Sequence, residues 1–343
     1  MVELKRILNN RTYLMGFACI LIMVFHSNLP IINDNIIKKH LYIGVDIFLF
    51  LSGIGIAQTL SKNKNKKSFY KSRILKIVPI ALPLIAIYSL LLYLYVSDFG
   101  IKEFYLQSTL TNFILIKGNY SLYLWYIPTI MIYYFASPYI YNFYTEKENK
   151  VKSFLTLLLI CLVLIIFTTP QGMFQQYSFI ANRLPIYIIG LIYGIRIKEN
   201  EKISMWELIF ICFSAIIGIA VLLLADKIPY IFFTVTKIIA FIPITISFCI
   251  IFSNLIEKIK SINKEKRIEF LNIIGKYTLA IYTTHESLLF IVKGYATKYE
   301  IKNIIITNPY IYALVIAVVT IVIAIIWTKF INYLRNNKNK EIK

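Results

Sequence analysis

The chain has 343 residues, of which 58% are hydrophobic, and carries a formal net charge of +20. Soluble domains run at about 45–50% apolar; here the excess is gathered into runs of about 18–25 residues, the length that crosses a bilayer core of about 30 Å, which excludes a soluble globular fold. The basic charge does not point to nucleic acid either, because it is sorted between alternate loops of a membrane topology and suits contact with anionic membrane lipid.

Ten apolar segments follow one another, at roughly 12–29, 41–60, 74–97, 120–143, 151–169, 176–195, 205–225, 229–253, 271–293 and 306–331. They predict an all-α, polytopic integral membrane protein of about ten transmembrane helices. No repeat at a period of about 20–50 residues is visible, which excludes a solenoid. The longest polar stretches, about 98–119, about 254–270 and the C-terminal tail, are too short to bury a core of their own, so residues 1–343 are read as a single membrane domain.

The first segment follows Lys5, Arg6 and Arg11 and ends in His26-Ser27-Asn28-Leu29-Pro30. It has the basic start of a signal peptide but no small-x-small cleavage site, so it is expected to stay as a helix. The second carries Asp46 within Gly44-Val45-Asp46-Ile47-Phe48. An ionisable group at that depth costs roughly 2.5–3.5 kcal/mol on the insertion scale and marks a functional position by default. Gly44, Gly53 and Gly55 in the same segment suit close helix packing. The third segment opens on a basic stretch from Lys62 to Lys76 that includes Lys71, Arg73 and Lys76. Arg73 and Lys76, three positions apart, share one helix face. Such a pair suits a phosphate or pyrophosphate, the arginine as bidentate donor and the lysine as point charge; it equally suits a snorkelling cluster.

Trp125 stands early in the fourth segment, where it also fits an interfacial aromatic belt. The sixth segment holds Arg183, the eighth Lys237 with no evident partner, and the ninth His285 beside Glu286. Cys19, Cys161, Cys212 and Cys249 each sit alone in an apolar segment, without metal-ligand spacing, and read as small buried side chains.

Ten crossings put the loops on alternate sides, and 27 of the 37 lysines and arginines fall on the side that carries both termini. By the positive-inside bias both termini are expected in the cytoplasm. With a rise of about 1.5 Å per residue, His26, Asp46, Trp125, Arg183, His285 and Glu286 all come near the outer face, which suggests a polar cavity opening outward. Arg73 and Lys76 lie at the opposite, cytoplasmic end.

In this order, His26, the Gly44-to-Gly53 segment, and Phe69-Tyr70-Lys71-x-Arg73-x-x-Lys76-Ile77-x-Pro79 resemble the acyltransferase-3 family of integral membrane acyltransferases. Leu124-Trp125-Tyr126-Ile127-Pro128 with Pro138, and Gly275-Lys276-Tyr277-x-x-x-Ile281-Tyr282-x-x-His285, extend the resemblance to positions 11 to about 333. The resemblance implies about ten membrane helices and transfer of an acyl group, typically acetyl from cytoplasmic acyl-CoA, to a surface carbohydrate. Acyl-CoA is then a co-substrate rather than a tightly bound cofactor. The chain departs from the family where many members carry an arginine ten residues ahead of the histidine. That position is Met15, and Arg11 lies one helical turn earlier. In the basic segment, Ser72 and Lys76 occupy positions that are often arginine.

On this reading His26 is the general base that takes the proton of the attacking sugar hydroxyl, a role that suits a side chain titrating near neutrality. Asp46 is its expected orienting partner, and His285 and Glu286 bind the acceptor or assist proton transfer. Lys71, Arg73 and Lys76 hold the phosphates of CoA, Arg183 stabilises developing oxyanion charge, and Trp125 and Arg11 contribute to substrate binding. An acyl-histidine intermediate is compatible with the same residues. Two other classes stay open: a glycan or lipid-linked-sugar transporter, and a non-catalytic relative diverged at Met15. The HxxxxD motif of glycerolipid acyltransferases is absent, since Val45 stands where its aspartate would follow His40.

Overall fold

The structure is a computed structural model that describes residues 2–27, 29, 40–63, 65–96, 99–111, 124–168, 177–224, 230–298 and 308–341. Helices dominate it. In chain order they are α1 (Lys5–Asn9), α2 (Arg11–His26), α3 (Ile43–Lys62), α4 (Lys66–Tyr95), α5 (Ile101–Ser108), α6 (Tyr126–Glu146) and α7 (Lys150–Thr168). There follow α8 (Ser178–Lys198), α9 (Met205–Leu224), α10 (Tyr230–Ser261), α11 (Glu269–Lys276), α12 (Thr278–Lys298) and α13 (Pro309–Glu341). A two-stranded antiparallel sheet, β1 (Val2–Glu3) and β2 (Lys202–Ile203), is an element that the apolar pattern does not announce.

Among the described residues, seven helices are long and apolar enough to cross a membrane: α3, α4, α7, α8, α9, α10 and α13. The three remaining predicted segments coincide with α2, which has 16 residues, with the tyrosine-rich α6, and with a segment that breaks in two. The segment predicted as continuous over 271–293 is α11 and α12, separated at Tyr277. The predicted onsets at 120, 176, 229 and 306, and positions 112–119 of the first polar stretch, lie outside the described residues.

The chain forms two compact units, each assembled from separate stretches: residues 1–18, 42–70 and 129–272 in the first, and 19–41, 71–128 and 273–343 in the second. In the first unit the closest helix pair is α3 and α8. A Cβ on Gly53 would strike the Tyr187 carbonyl, and one on Gly190 would strike the Phe50 carbonyl, so the two backbones touch. Gly194 packs on Ile54 and Ala57. Small residues four apart on both helices, Gly53 and Ala57 against Gly190 and Gly194, make the small-xxx-small seam that lets membrane helices approach. Arg183 to Asp46 and Lys198 to Ser61 keep one offset of 137 residues along the pair, which makes the two helices parallel and in register.

Elsewhere in this unit α9 lies along α10 with Gly218 facing Ala240, and Leu157 and Cys161 of α7 pack on Ile188 and Ile192 of α8. Phe17 of α2 meets Phe248 and Phe252 of α10 at ring centroids of 5.1 and 4.8 Å. A polar layer closes the N-terminal end: buried Asn10 donates to Glu257 at 2.6 Å and accepts from Lys260 at 2.9 Å, while Arg6 donates to Asn254 at 2.6 Å.

In the second unit α12 packs on α13, and α13 runs back along α4, with the Trp327 indole donating to the Ile80 carbonyl at 3.0 Å and Arg335 donating to the Leu75 carbonyl. The outer faces of α13, α7 and α9 are almost wholly apolar and exposed, as expected of helices that face lipid. Two pairs have a direction fixed by two contacts each: α3 and α8 run parallel, and α4 and α13 antiparallel.

Candidate active site

In the second unit the ninth predicted segment builds the polar centre. Thr283-Thr284-His285-Glu286-Ser287 is a run of five polar residues on α12, longer than one turn, so no face of the helix could meet lipid there without exposing one of them. All five are buried or half-buried. The hydroxyls return to their own helix: Ser287 donates to the Thr283 carbonyl at 2.6 Å, and Thr283 to the Ala280 carbonyl at 3.0 Å.

His285 is 3% exposed, and neither ring nitrogen makes a well-formed hydrogen bond among the described residues. Its ring stands edge-on to His26 of α2, with centroids 5.1 Å apart. The Glu286 carboxylate comes to 3.9 Å from Nδ1 of His26, an ion-pair distance rather than a hydrogen bond. The sequence thus placed His26, His285 and Glu286 at one depth, and the fold brings the three side chains together. The carboxylate observed beside His26 is Glu286.

Trp125 joins the same unit through its neighbour. The Tyr126 backbone N–H donates to the Tyr282 hydroxyl at 3.3 Å, the two rings are 5.3 Å apart, and Tyr282 lies 6.4 Å from the His285 ring. Leu124, fully buried, holds φ at 58°, a left-handed conformation that a branched residue adopts at a cost of roughly 1–2 kcal/mol. That turn presents Trp125 and Tyr126 at the start of α6. Tyr282 was legible in the sequence as the residue three before His285, on the same helix face, but was given no role there.

The basic stretch starts at Lys62, the end of α3, and runs through about the first three turns of α4, with Lys71 and Lys76 exposed and Arg73 half-buried. One continuous helix confirms the common face of Arg73 and Lys76. Arg335, from the far end of α13, reaches the Leu75 carbonyl between them. It is a further cation beside Lys71, Arg73 and Lys76, and the sequence did not reveal it, because nothing in a C-terminal basic tail signals which loop it returns to.

In the first unit Asp46 and Arg183 pair. Asp46 lies in the first turn of α3, where the helix dipole favours a carboxylate, and Arg183 comes from the first two turns of α8. Their side chains are 6% and 12% exposed, so the pair is shielded from water. Arg183 also lies over the Tyr42 ring at 5.0 Å, and Lys237 approaches the same ring at 5.7 Å, which supplies the aromatic neighbour that the sequence did not reveal for Lys237. Arg11 donates to the Leu51 carbonyl at 2.9 Å and lies against Gly55. The partner observed for Asp46 is thus Arg183.

Among the described residues there is no group of three or more His, Cys, Asp or Glu side chains that could hold a metal ion. The sequence model of the acyltransferase-3 family, an acyltransferase domain, matches residues 12–328. No curated protein and no solved structure matches the chain.

Proposed function

We propose that this multi-pass membrane protein, which belongs to the acyltransferase-3 family, transfers an acetyl group from acetyl-CoA to a hydroxyl of a cell-surface carbohydrate at the cytoplasmic membrane. As a member of that family it is a membrane acyltransferase. The donor, the acceptor and the residue roles are our reading of it. The observation that carries the reading is the contact of half-buried His26 with Glu286 and the buried His285 on the polar run of α12.

We take Nε2, the nitrogen away from Glu286, as the base; the carboxylate 3.9 Å from Nδ1 stabilises by charge the imidazolium that forms. The carbohydrate hydroxyl loses its proton to Nε2 as its oxygen attacks the thioester carbonyl carbon. A new C–O bond forms, the C–S bond breaks, and the imidazolium returns the proton to the leaving thiolate, giving the O-acyl ester and free CoA thiol. His285, edge-on to His26, is placed to donate to the carbonyl oxygen as negative charge develops. Lys71, Arg73, Lys76 and Arg335 are suited to the phosphates of the donor, and the Trp125–Tyr126–Tyr282 aromatic edge to a sugar ring. Asp46 and Arg183 fasten α3 to α8, and we assign them to positioning.

The test is transfer of labelled acetyl from acetyl-CoA in proteoliposomes against a panel of surface glycans. Wild type should label a glycan, and His26→Gln should lose at least about 10²-fold in kcat while inserting normally. Full turnover by His26→Gln would overturn the assignment. Met15, where many members carry arginine, favours one second reading, a non-catalytic relative; a wild type silent with every donor and acceptor would support it.

A further inference from the structure

Between α2, α12 and α13 of the second unit lies a cavity of about 20 Å³, room for one water-sized group. Its walls include Met23 and Ser27 of α2, His285 and Leu289 of α12, and Ala313 and Ala317 of α13. Met23 and Ser27 flank His26 in sequence, so the cavity opens beside the proposed base. Leu289 stands one turn beyond His285 on the same face of α12, and Ala313 and Ala317 present one small-residue face of α13. The lining is thus apolar apart from Ser27, the Tyr312 hydroxyl and the His285 ring, and Ser27 is satisfied by the Val24 carbonyl at 2.7 Å.

The buried His285 ring lies near the Ile281 and Tyr282 carbonyls of its own helix but makes no well-formed hydrogen bond among the described residues, so its polar edge is incompletely satisfied, a costly state away from water. Such a ring against an apolar void of one methyl group matches a ligand with a carbonyl oxygen next to a single methyl. Acetyl has that shape.

We propose that this cavity is the pocket for the alkyl end of the transferred acyl group, and that Leu289, Ala313 and Ala317 limit it to two carbons. The inference rests on the acyl-transfer reading and adds no bond-making step to it. The acyl methyl occupies the void, and the carbonyl oxygen accepts from the His285 ring. A longer chain meets Leu289 and the α13 backbone, and one methylene too many in such a pocket costs about 10–200-fold in kcat/KM.

The experiment compares acetyl-, propionyl- and butyryl-CoA as donors in proteoliposomes at a fixed acceptor glycan. Wild type is expected to prefer acetyl by at least about tenfold over butyryl. Leu289→Ala, which lengthens the cavity, is expected to raise the butyryl-to-acetyl ratio of kcat/KM by about tenfold. Ala317→Leu, which fills it, should lower kcat/KM for acetyl by a similar factor. The ratio within one variant does not depend on how much of it folds, so Leu289→Ala decides even if Ala317→Leu is poorly produced. A wild type that transfers acyl groups without regard to length, or an unchanged ratio in Leu289→Ala, overturns the pocket while acyl transfer stands. A wild type that transfers none of the three to any glycan overturns both.

Discussion

Glu286 and His26 sit 3.9 Å apart, beyond hydrogen-bond reach but close enough for the carboxylate to stabilise an imidazolium by charge. Removing the charge while keeping the shape tests that role. Glu286→Gln should lower kcat by about 10²-fold with KM for the acceptor nearly unchanged, and Glu286→Asp should recover part of the loss. A change confined to KM would instead make Glu286 an acceptor-binding group.

Asp46 and Arg183 call for a different measurement. Breaking a buried ion pair from one side leaves an unpaired charge and costs about 3–5 kcal/mol, whereas removing both partners costs less than the two losses together. Asp46→Asn and Arg183→Gln should therefore each lower the thermal midpoint in detergent, and the double variant should lose less than the sum. Additive losses would show that the pair is not coupled. Both residues stood out in the sequence as ionisable groups inside apolar segments, and that signal was sound. Which of several groups at one depth would touch was not legible, because depth follows from counting residues along a helix and partnership from the angular position of each helix in the bundle.

At the scale of elements, the α3/α8 seam depends on absent side chains. Gly190 faces the Phe50 carbonyl so closely that any Cβ must move backbone, and backbone in a parallel helix pair yields little. Gly55 differs, because its nearest neighbour is the flexible Arg11 guanidinium at 3.2 Å. Gly190→Leu is expected to abolish monodisperse elution in detergent, Gly190→Ala to lower the thermal midpoint clearly, and Gly55→Ala to change it little. Equal effects at positions 190 and 55 would refute the seam. The sequence made Gly53 readable as a packing glycine, since it lies beside Asp46 in a conspicuous motif. Gly190 and Gly194 carry the same four-residue spacing, but Arg183 draws attention away from it. The break between α11 and α12 was hidden for a different reason: Gly275-Lys276-Tyr277 is a polar dip of only three residues, which a window of about 19 residues averages away.

For the molecule as a whole, two independent lines bear on how the chain threads the membrane. One is charge: the loops on one side hold 27 of 37 lysines and arginines, a bias that orients membrane proteins with the basic side in the cytoplasm. The other is packing: within each unit, helices that alternation makes parallel, such as α3 and α8, lie parallel, and those it makes antiparallel, such as α4 and α13, lie antiparallel. Inserting or deleting one crossing between Asp46 and Arg183 would reverse α8 against α3 and destroy their constant register. Alternation therefore places Asn63, between α3 and α4, on the basic side, and Asn308, at the start of α13, on the opposite side; both are exposed. The four native cysteines are unpaired. In a variant with those cysteines replaced by alanine or serine, a membrane-impermeant maleimide applied to intact cells should label Asn308→Cys and leave Asn63→Cys unlabelled until the cells are opened. The reverse pattern would invert the molecule and place Arg73 and Lys76 away from the proposed cytoplasmic donor, and labelling of both positions would break the alternation on which the ten-segment reading depends.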